Sequence, residues 1–483
     1  MALKQWFVGN TTQVGTETGG IRMPWWYYLA GGIAGLAAVL VLLFLMEIYF
    51  IFRVRLFTKR LLTDTYKDNL YGMFHSVQRV GVENIIEMSL RAQQGKVLKR
   101  PMGSSRKLPD FSGLAFDQPN LAVPLVPADV AVDMKVTIGP QAKRPLELDI
   151  PILISGMGYG VGVSFETKIA WAKAATLLGT ATNSGEGPYL PEERRHAGKY
   201  IVQYGREGWM PDEAIRDADM VEIQIGQGVT GSAGNLTSEK ILRGRVGRMF
   251  GLRPGEKIVT HSHLVWRGKP ISLRELVKEI RKINGDVPVG VKLGAGPISL
   301  ERDLDLVVQA GVDFITVDGM NAATSGGLPI LTDDFGLPTI LALLRAVRFL
   351  TDAGVKKKVS LIISGGLFSP GDCLKALALG ADAVNLGTMV LFASAHNQGN
   401  IALPWEPIGS INWYQDVLSR RLRVDEAARY VYNFVHSTVL EMEEGLRTLG
   451  KTSLKQLSAA DLRSITPEAY WLTGITPAFA WER

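Results

Sequence analysis

Glycine is most concentrated in this chain where a backbone could meet a ligand. Five strings stand out: Ser155-Gly156-Met157-Gly158-Tyr159-Gly160, Asn183-Ser184-Gly185-Glu186-Gly187, Gly226-Gln227-Gly228, Ser364-Gly365-Gly366 and Gly387-Thr388. Each follows a short apolar run, where a missing side chain lets backbone approach a bound group closely. Backbone N–H groups freed in this way bind anions, phosphate above all, when a helix begins nearby. Ser369-Pro370 supplies such a beginning just after Gly366, a capping serine followed by a first-turn proline. Taken singly, each string also meets the needs of a tight turn between strand and helix. His261 and His263 have metal-ligand spacing, but no carboxylate or thiol cluster accompanies them, and a metal is not expected. Cys373 is the single cysteine. That excludes an intrachain disulfide and any iron–sulfur cluster built from this chain's thiolates alone. Cys373 sits at a helix start and reads as a buried, inert thiol.

The elements that position these strings alternate regularly. Candidate strands run over Ile152–Ser155, Gly179–Asn183, Tyr200–Gln203, Met220–Ile225, Val289–Leu293, Phe314–Val317, Ser360–Ser364 and Ala383–Leu386. Candidate helices between them include Phe165–Leu178, Ile271–Ile283, Leu300–Gln309, Thr339–Ala353 and Asp372–Leu379. Alternating strand and helix argue for a parallel sheet, and eight strands for a closed α/β (β/α)8 TIM barrel over residues 151–400. Three joints, Leu178-Gly179, Ala310-Gly311 and Leu379-Gly380, end a helix in glycine, which takes the left-handed conformation that other residues resist. Ligands gather at the C-terminal strand ends of such barrels. The loops after strands seven and eight commonly hold phosphate. Gly365-Gly366 and Gly387-Thr388 fall there, so a phosphate-bearing ligand is expected.

Ahead of the barrel, residues 25–52 read as a transmembrane helix. Trp26 to Met46 carries no charge and is long enough for a hydrocarbon core of about 30 Å. Trp25, Trp26, Tyr27 and Tyr28 form an interfacial belt on one side, with Tyr49 and Phe50 toward the other. Arg53, Arg55, Lys59 and Arg60 follow directly and place the catalytic bulk in the cytoplasm, as a single-pass protein with residues 1–24 extracytoplasmic. Residues 53–150 read as a cytoplasmic connector and residues 401–483 as a short helical C-terminal tail. Overall, 46% of the 483 residues are hydrophobic and 21% charged, which is a folded composition. The balance of 53 basic against 47 acidic residues, with no basic run interleaved with aromatics, argues against nucleic acid.

Several longer strings, in order, carry a resemblance. They are Val136-Thr137-Ile138-Gly139-Pro140, Ile152-Leu153-Ile154-Ser155-Gly156-Met157, Gly179 through Gly187, Glu222 through Gly228, Val291-Lys292-Leu293, Asp318-Gly319, Ser364-Gly365-Gly366-Leu367 and Gly445 through Gly450. From about Pro101 to Leu457 the chain resembles the FMN-binding glutamate synthase family. The resemblance implies FMN at the strand ends and reduction of a 2-imino acid, made from 2-oxoglutarate and ammonia, to glutamate. By position it implies that Gly365, Gly366, Gly387 and Thr388 hold the FMN phosphate. Ser155, Gly156 and Met157 would lie along the flavin, with Asn183, Gln203 and Gln224 as polar contacts. Lys292 would hold a substrate carboxylate or donate a proton, unless it serves a structural ion pair with Glu222 or Asp318. Glu186 would bind or orient substrate ammonium, or else act as a cap. Gln227 and Asp318 fall at the substrate side.

Three features depart from the family pattern. The amidotransferase region with its N-terminal cysteine is replaced by the apolar helix, so glutamine hydrolysis by that route is not expected. The segment after strand eight, Val390 to Gln398, has no thiol where the family carries iron–sulfur ligands. Electrons are therefore expected from a protein partner, a quinone or a diffusible donor, and an ammonia-supplying partner is a further candidate. The loop Asp318 to Gly327 is also changed beside the expected substrate. Three alternatives stand beside the glutamate synthase reading: an oxidoreductase acting on another amino acid, a 2-hydroxy acid oxidase and a flavin-binding scaffold without activity. The oxidase requires a histidine base near the flavin, for which no strand-end residue offers itself.

Overall fold

The computed structural model describes residues 24–228, 236–237, 244–253, 256–322, 326–403, 407–414 and 418–479. The N-terminal segment expected to be extracytoplasmic lies outside them except for Pro24, as do Ala323, Thr324 and Ser325 of the altered loop. The chain divides into two units, Met1–Lys96 and Val97–Arg483.

In the first unit a 39-residue helix runs from Trp25 to Thr63. It is about 58 Å long at 1.5 Å per residue, and it is long and apolar enough to cross a membrane. None of its residues is buried. Asn69 closes the turn that follows, donating from Nδ2 to the carbonyls of Leu61 (2.8 Å) and Asp64 (3.1 Å). Two shorter helices, Tyr71–Val80 and Val82–Gln94, then meet at Gly81, whose φ of 84° turns the chain.

In the second unit eight parallel strands form the barrel: Ile152–Ile154, Thr182–Asn183, Tyr200–Tyr204, Met220–Gln224, Val289–Gly294, Phe314–Asp318, Ser360–Ser364 and Ala383–Leu386. Hydrogen-bonded order runs one, eight, seven, six, five, four, three, two. A seam thus remains between strands one and two, crossed by the Ile154 N–H donating to Ala181 O at 3.2 Å. Seven of the eight strands are buried along every residue, and only Gly294 at the end of strand five is partly exposed. Such burial on both faces is why they read as continuous apolar runs.

Strand two is shorter than the expected Gly179–Asn183. Gly179 (φ 64°) terminates the preceding helix, Phe165–Leu177. Thr180 and Ala181 then reach individually to Ile152 and Ile154 instead of joining the ladder. Gly311 (φ 78°) and Gly380 (φ 108°) end Leu300–Gln309 and Pro370–Ala378 in the same way. Helices Leu273–Ile283 and Thr339–Asp352 complete the expected set. Ser369 caps its helix as the sequence indicated, its Oγ accepting from the Asp372 N–H at 3.1 Å. Cys373, in that helix, is buried, and burial pushes its thiol up to about 12.

An antiparallel pair, Val136–Ile138 with Leu146–Leu148, packs Ile138, Leu146 and Leu148 against Leu153, Ile201, Phe314 and Ile362 of the barrel interior. Residues 401–483 hold more than a helical tail. The helix Val424–Thr448 packs on Phe165–Leu177, burying Ala427, Val431 and Val435. Beyond it, Leu462–Ser464 pairs antiparallel with Leu114–Phe116, joining the C-terminal segment to chain that precedes the barrel.

Candidate active site

A cavity of about 570 Å³ opens at the C-terminal ends of the strands. Its size is that of a site for a cofactor or small molecule. Of the residues singled out by sequence, Ser155, Gly156, Met157, Glu186, Gln224, Gln227, Lys292, Asp318, Gly365, Gly366, Gly387 and Thr388 all line it. Asn183 and Gln203 do not. They stand behind the wall, where Asn183 Nδ2 (2.9 Å) and Gln203 Nε2 (2.8 Å) both donate to Glu222 Oε1. Thr316 Oγ1 donates to Glu222 Oε2 at 2.7 Å. Three donors from strands two, three and six thus hold one carboxylate inside the barrel, which satisfies its burial.

Lys292, in the fifth strand, presents its Nζ 3.4 Å from Asp318 Oδ2. Burial alone would lower its pKa. The carboxylates of Asp318, Glu222 and Glu186 outweigh that and hold it above the usual lysine range, as an ammonium. Glu186 projects into the cavity and is exposed to the solvent space there, within the cavity walls. That enclosure raises its carboxyl pKa, and Glu207 adds to the rise against the opposing pull of Lys292, Gln224 and Arg206. The pair therefore differs in kind: a lysine held charged beside a carboxyl biased toward its neutral form.

The glycines expected to hold a phosphate are constrained by backbone geometry. Gly365 (φ 110°) and Gly366 (φ 67°) occupy conformations that favour glycine. A Cβ at Gly366 would lie 2.5 Å from Asn321 Cβ, and one at Gly365 would lie 2.9 Å from the Ala322 nitrogen. Gly387 precedes the helix Thr388–Ala395, whose first N–H groups have no helical partner. A Cβ on Gly387 would come within 3.2 Å of Met157 Cε. Three acceptors on residues lining this cavity are buried with no partner among the described residues: Gln224 Oε1, Asp318 Oδ1 and Glu207 Oε2. Orphan acceptors of that kind call for an N–H donor from a bound group. These features are compatible with a flavin mononucleotide, whose phosphate needs free backbone N–H groups and whose ring N–H needs an acceptor.

Sequence reasoning missed several lining residues. Lys99, Arg206, Glu207 and Asn385 all face the cavity. Asn385 carried a signal, a polar residue within the apolar strand Ala383–Leu386. Lys99 and Arg206 lie in irregular chain and carried none. His261 and His263 stack on each other at 5.6 Å between ring centroids, and His261 borders a smaller adjoining cavity with Glu207 and Trp209.

Fold and cavity together define a (β/α)8 barrel with a charged, ligand-sized site at its C-terminal face. The sequence narrows this further. Residues 118–452 match the model of the family described as "Conserved region in glutamate synthase", and the chain belongs to that family. It is 33% identical over 393 residues to a glutamate synthase large subunit-like protein of Rhizobium meliloti, covering 77% of this chain and 88% of that one. It is also 33% identical over 322 residues to an archaeal glutamate synthase [NADPH] of Archaeoglobus fulgidus, covering 65% of this chain and 61% of the relative. Among solved structures, a flavocytochrome b2 variant with sulfite bound aligns at a TM-score of 0.47 and 17% identity, over 79% of this chain and 84% of that one. A mandelate oxidase variant with the monooxide FMN adduct aligns at 0.45 and 17%, over 73% and 88%. At these values the likeness extends to neither substrate nor residue roles.

Proposed function

We propose that this chain is an FMN-dependent oxidoreductase, tethered to a membrane by Trp25–Thr63, that reduces the 2-imino acid formed from 2-oxoglutarate and ammonia to glutamate. The observation that carries the reading is Lys292: a buried ammonium lining the same cavity as the Gly365-Gly366 and Gly387 cradle, with Asp318 and Glu186 beside it. Membership of the glutamate synthase family supports the substrate class.

FMN, when bound, supplies the hydride that the carbon of the C=N bond takes up. Backbone of Gly365, Gly366, Gly387 and Thr388 would hold the phosphate, and Gln224 would offer an acceptor to the ring. Ser155, Gly156 and Met157 form the wall along the ring. Lys292 binds the substrate's carboxylate through a charge-assisted hydrogen bond. Glu186, biased toward its protonated form, delivers a proton to the substrate nitrogen, so that C=N becomes CH–NH with charge balanced. Gln227 and Asp318 complete the substrate contacts. Asn183 and Gln203 act behind the wall by fixing Glu222, one of the carboxylates that keep Lys292 charged. The basic cluster after the apolar stretch supports a cytoplasmic barrel. Cys373 alone cannot hold a cluster, so the electrons come from a partner or diffusible donor.

The reduced protein, given 2-oxoglutarate and nitrogen-labelled ammonium, should form labelled glutamate. Oxidation of a 2-hydroxy acid without glutamate would place the chain with another flavin chemistry.

A further inference from the structure

Helix Phe165–Leu177 buries a lysine that the proposed chemistry does not use. Lys168 has no exposed surface, and neither, to within 1%, does its partner Glu193. Its Nζ stands 2.9 Å from Glu193 Oε1. Its other two protons are shared among three backbone carbonyls, Asn183 O at 2.6 Å, Met157 O at 3.1 Å and Ser184 O at 3.4 Å. Glu193 in turn accepts from Tyr200 OH (3.2 Å) and Thr182 Oγ1 (3.3 Å). Taking two charges out of water costs several kcal/mol per ion, on the order of what their attraction returns. A buried pair is therefore weak evidence of added stability, and its location becomes the question.

The location is the seam. Strands one and two are the two ends of the hydrogen-bonded order, and their ladder is missing. Met157 follows strand one, whereas Asn183 and Ser184 end strand two. The ammonium thus bridges the gap at its cavity end, where ladder rungs would otherwise stand. The loops it gathers touch backbone to backbone: a Cβ on Gly185 would collide with Met157 and Gly158, and one on Gly187 with Tyr159. At these glycines the loops meet backbone to backbone, with no side chain of the glycine to hold them. One loop carries Met157 into the cavity and the other carries Glu186.

We propose that Lys168 is a positioning residue whose buried ammonium closes the seam between strands one and two and so fixes the Met157 and Glu186 loops against each other at the cavity wall. Burial lowers its pKa, opposed by Glu193, and the four acceptors around Nζ more than fill the three donors of an ammonium. The consequence for the site rests on the FMN reading; the seam closure does not.

The test uses full-length protein in detergent with the double substitution Lys168→Met/Glu193→Gln, which leaves no unpaired buried charge. Amide hydrogen exchange is followed in segments 156–162 and 183–190, with 360–366 on the opposite wall as reference. The proposal predicts that exchange in the first two rises by about tenfold or more while the reference stays within about twofold. FMN added to the same protein should bind about tenfold or more weakly, with a shifted visible band, because its wall has loosened. Exchange that rises equally in all three segments, or in none, overturns the proposal and leaves Lys168 a general stabiliser or dispensable. If wild-type protein itself refuses FMN, the cofactor reading falls and the exchange pattern alone decides the seam.

Discussion

Lys292 Nζ and Asp318 Oδ2 face each other at 3.4 Å with both side chains almost wholly buried, while Asp318 Oδ1 has no partner among the described residues. The lysine is therefore held but not saturated, since one contact at that distance leaves donor capacity for a ligand. The aspartate is likewise half-used. A structural ion pair would bring both groups' hydrogen bonds to completion, which is why this pair reads as a binding device.

Replacing Lys292 with Met should lower kcat/KM by about 30-fold to 10³-fold, the worth of truncating one partner of a buried charged hydrogen bond. It should also destabilise the fold by roughly 3–5 kcal/mol, because Asp318 loses its buried cation. Steady-state kinetics and thermal unfolding of the same preparation measure the two effects. A variant with wild-type kcat/KM would return Lys292 to a structural role.

Glu186 gives a pH dependence with a definite sign. Its folded pKa lies above the ordinary glutamate value, so between the two the folded protein keeps a proton that the unfolded chain releases. Stability from that proton is complete below the unfolded pKa and is lost as pH rises through the folded one. Turnover, which uses the protonated form, should fall over the same limb. Glu186→Gln should remove this contribution to the unfolding profile and leave a pH–rate curve without that limb. An unchanged curve in the variant would assign the limb to another group.

Gly366→Ala tests the phosphate cradle. A φ of 67° costs a residue with Cβ about 1–3 kcal/mol, and here the new atom also meets Asn321. Fluorescence titration should show FMN binding weakened by about tenfold or more, the equivalent of roughly 1.4 kcal/mol. The same substitution at Gly354, also at positive φ (69°) but with open space around its Cβ, should cost stability without touching FMN affinity.

Much of this was legible in the sequence because parallel barrel strands, buried on both faces, leave apolar runs that glycine C-caps punctuate. Helix Leu300–Gln309 and strands Ser360–Ser364 and Ala383–Leu386 fall where the pattern put them. The cavity walls were legible because five glycine strings fall together at strand ends, although each alone also suits a tight turn. What stayed hidden depended on partners far apart in sequence. Asn183 and Gln203 read as ligand contacts, yet their amides converge on Glu222. Lys168, inside an alanine-rich helix, gave no sign that four acceptors from two loops and a short helix would surround it. The strand Leu462–Ser464 could not be read in advance because its partner lies more than three hundred residues earlier.

The membrane tether has its own test. Full-length protein should stay with the membrane through alkaline carbonate extraction, and deletion of residues 1–52 should move it to the soluble fraction. A full-length protein released by carbonate would contradict a spanning helix.

The central claim is the cofactor, and the most direct measurement is the visible spectrum of the detergent-purified protein, with the released chromophore identified after denaturation. The account predicts a flavin spectrum and FMN at close to one per chain. A colourless protein that also fails to take up added FMN would contradict it, leaving the glycine cradle and Lys292 without the chemistry assigned to them.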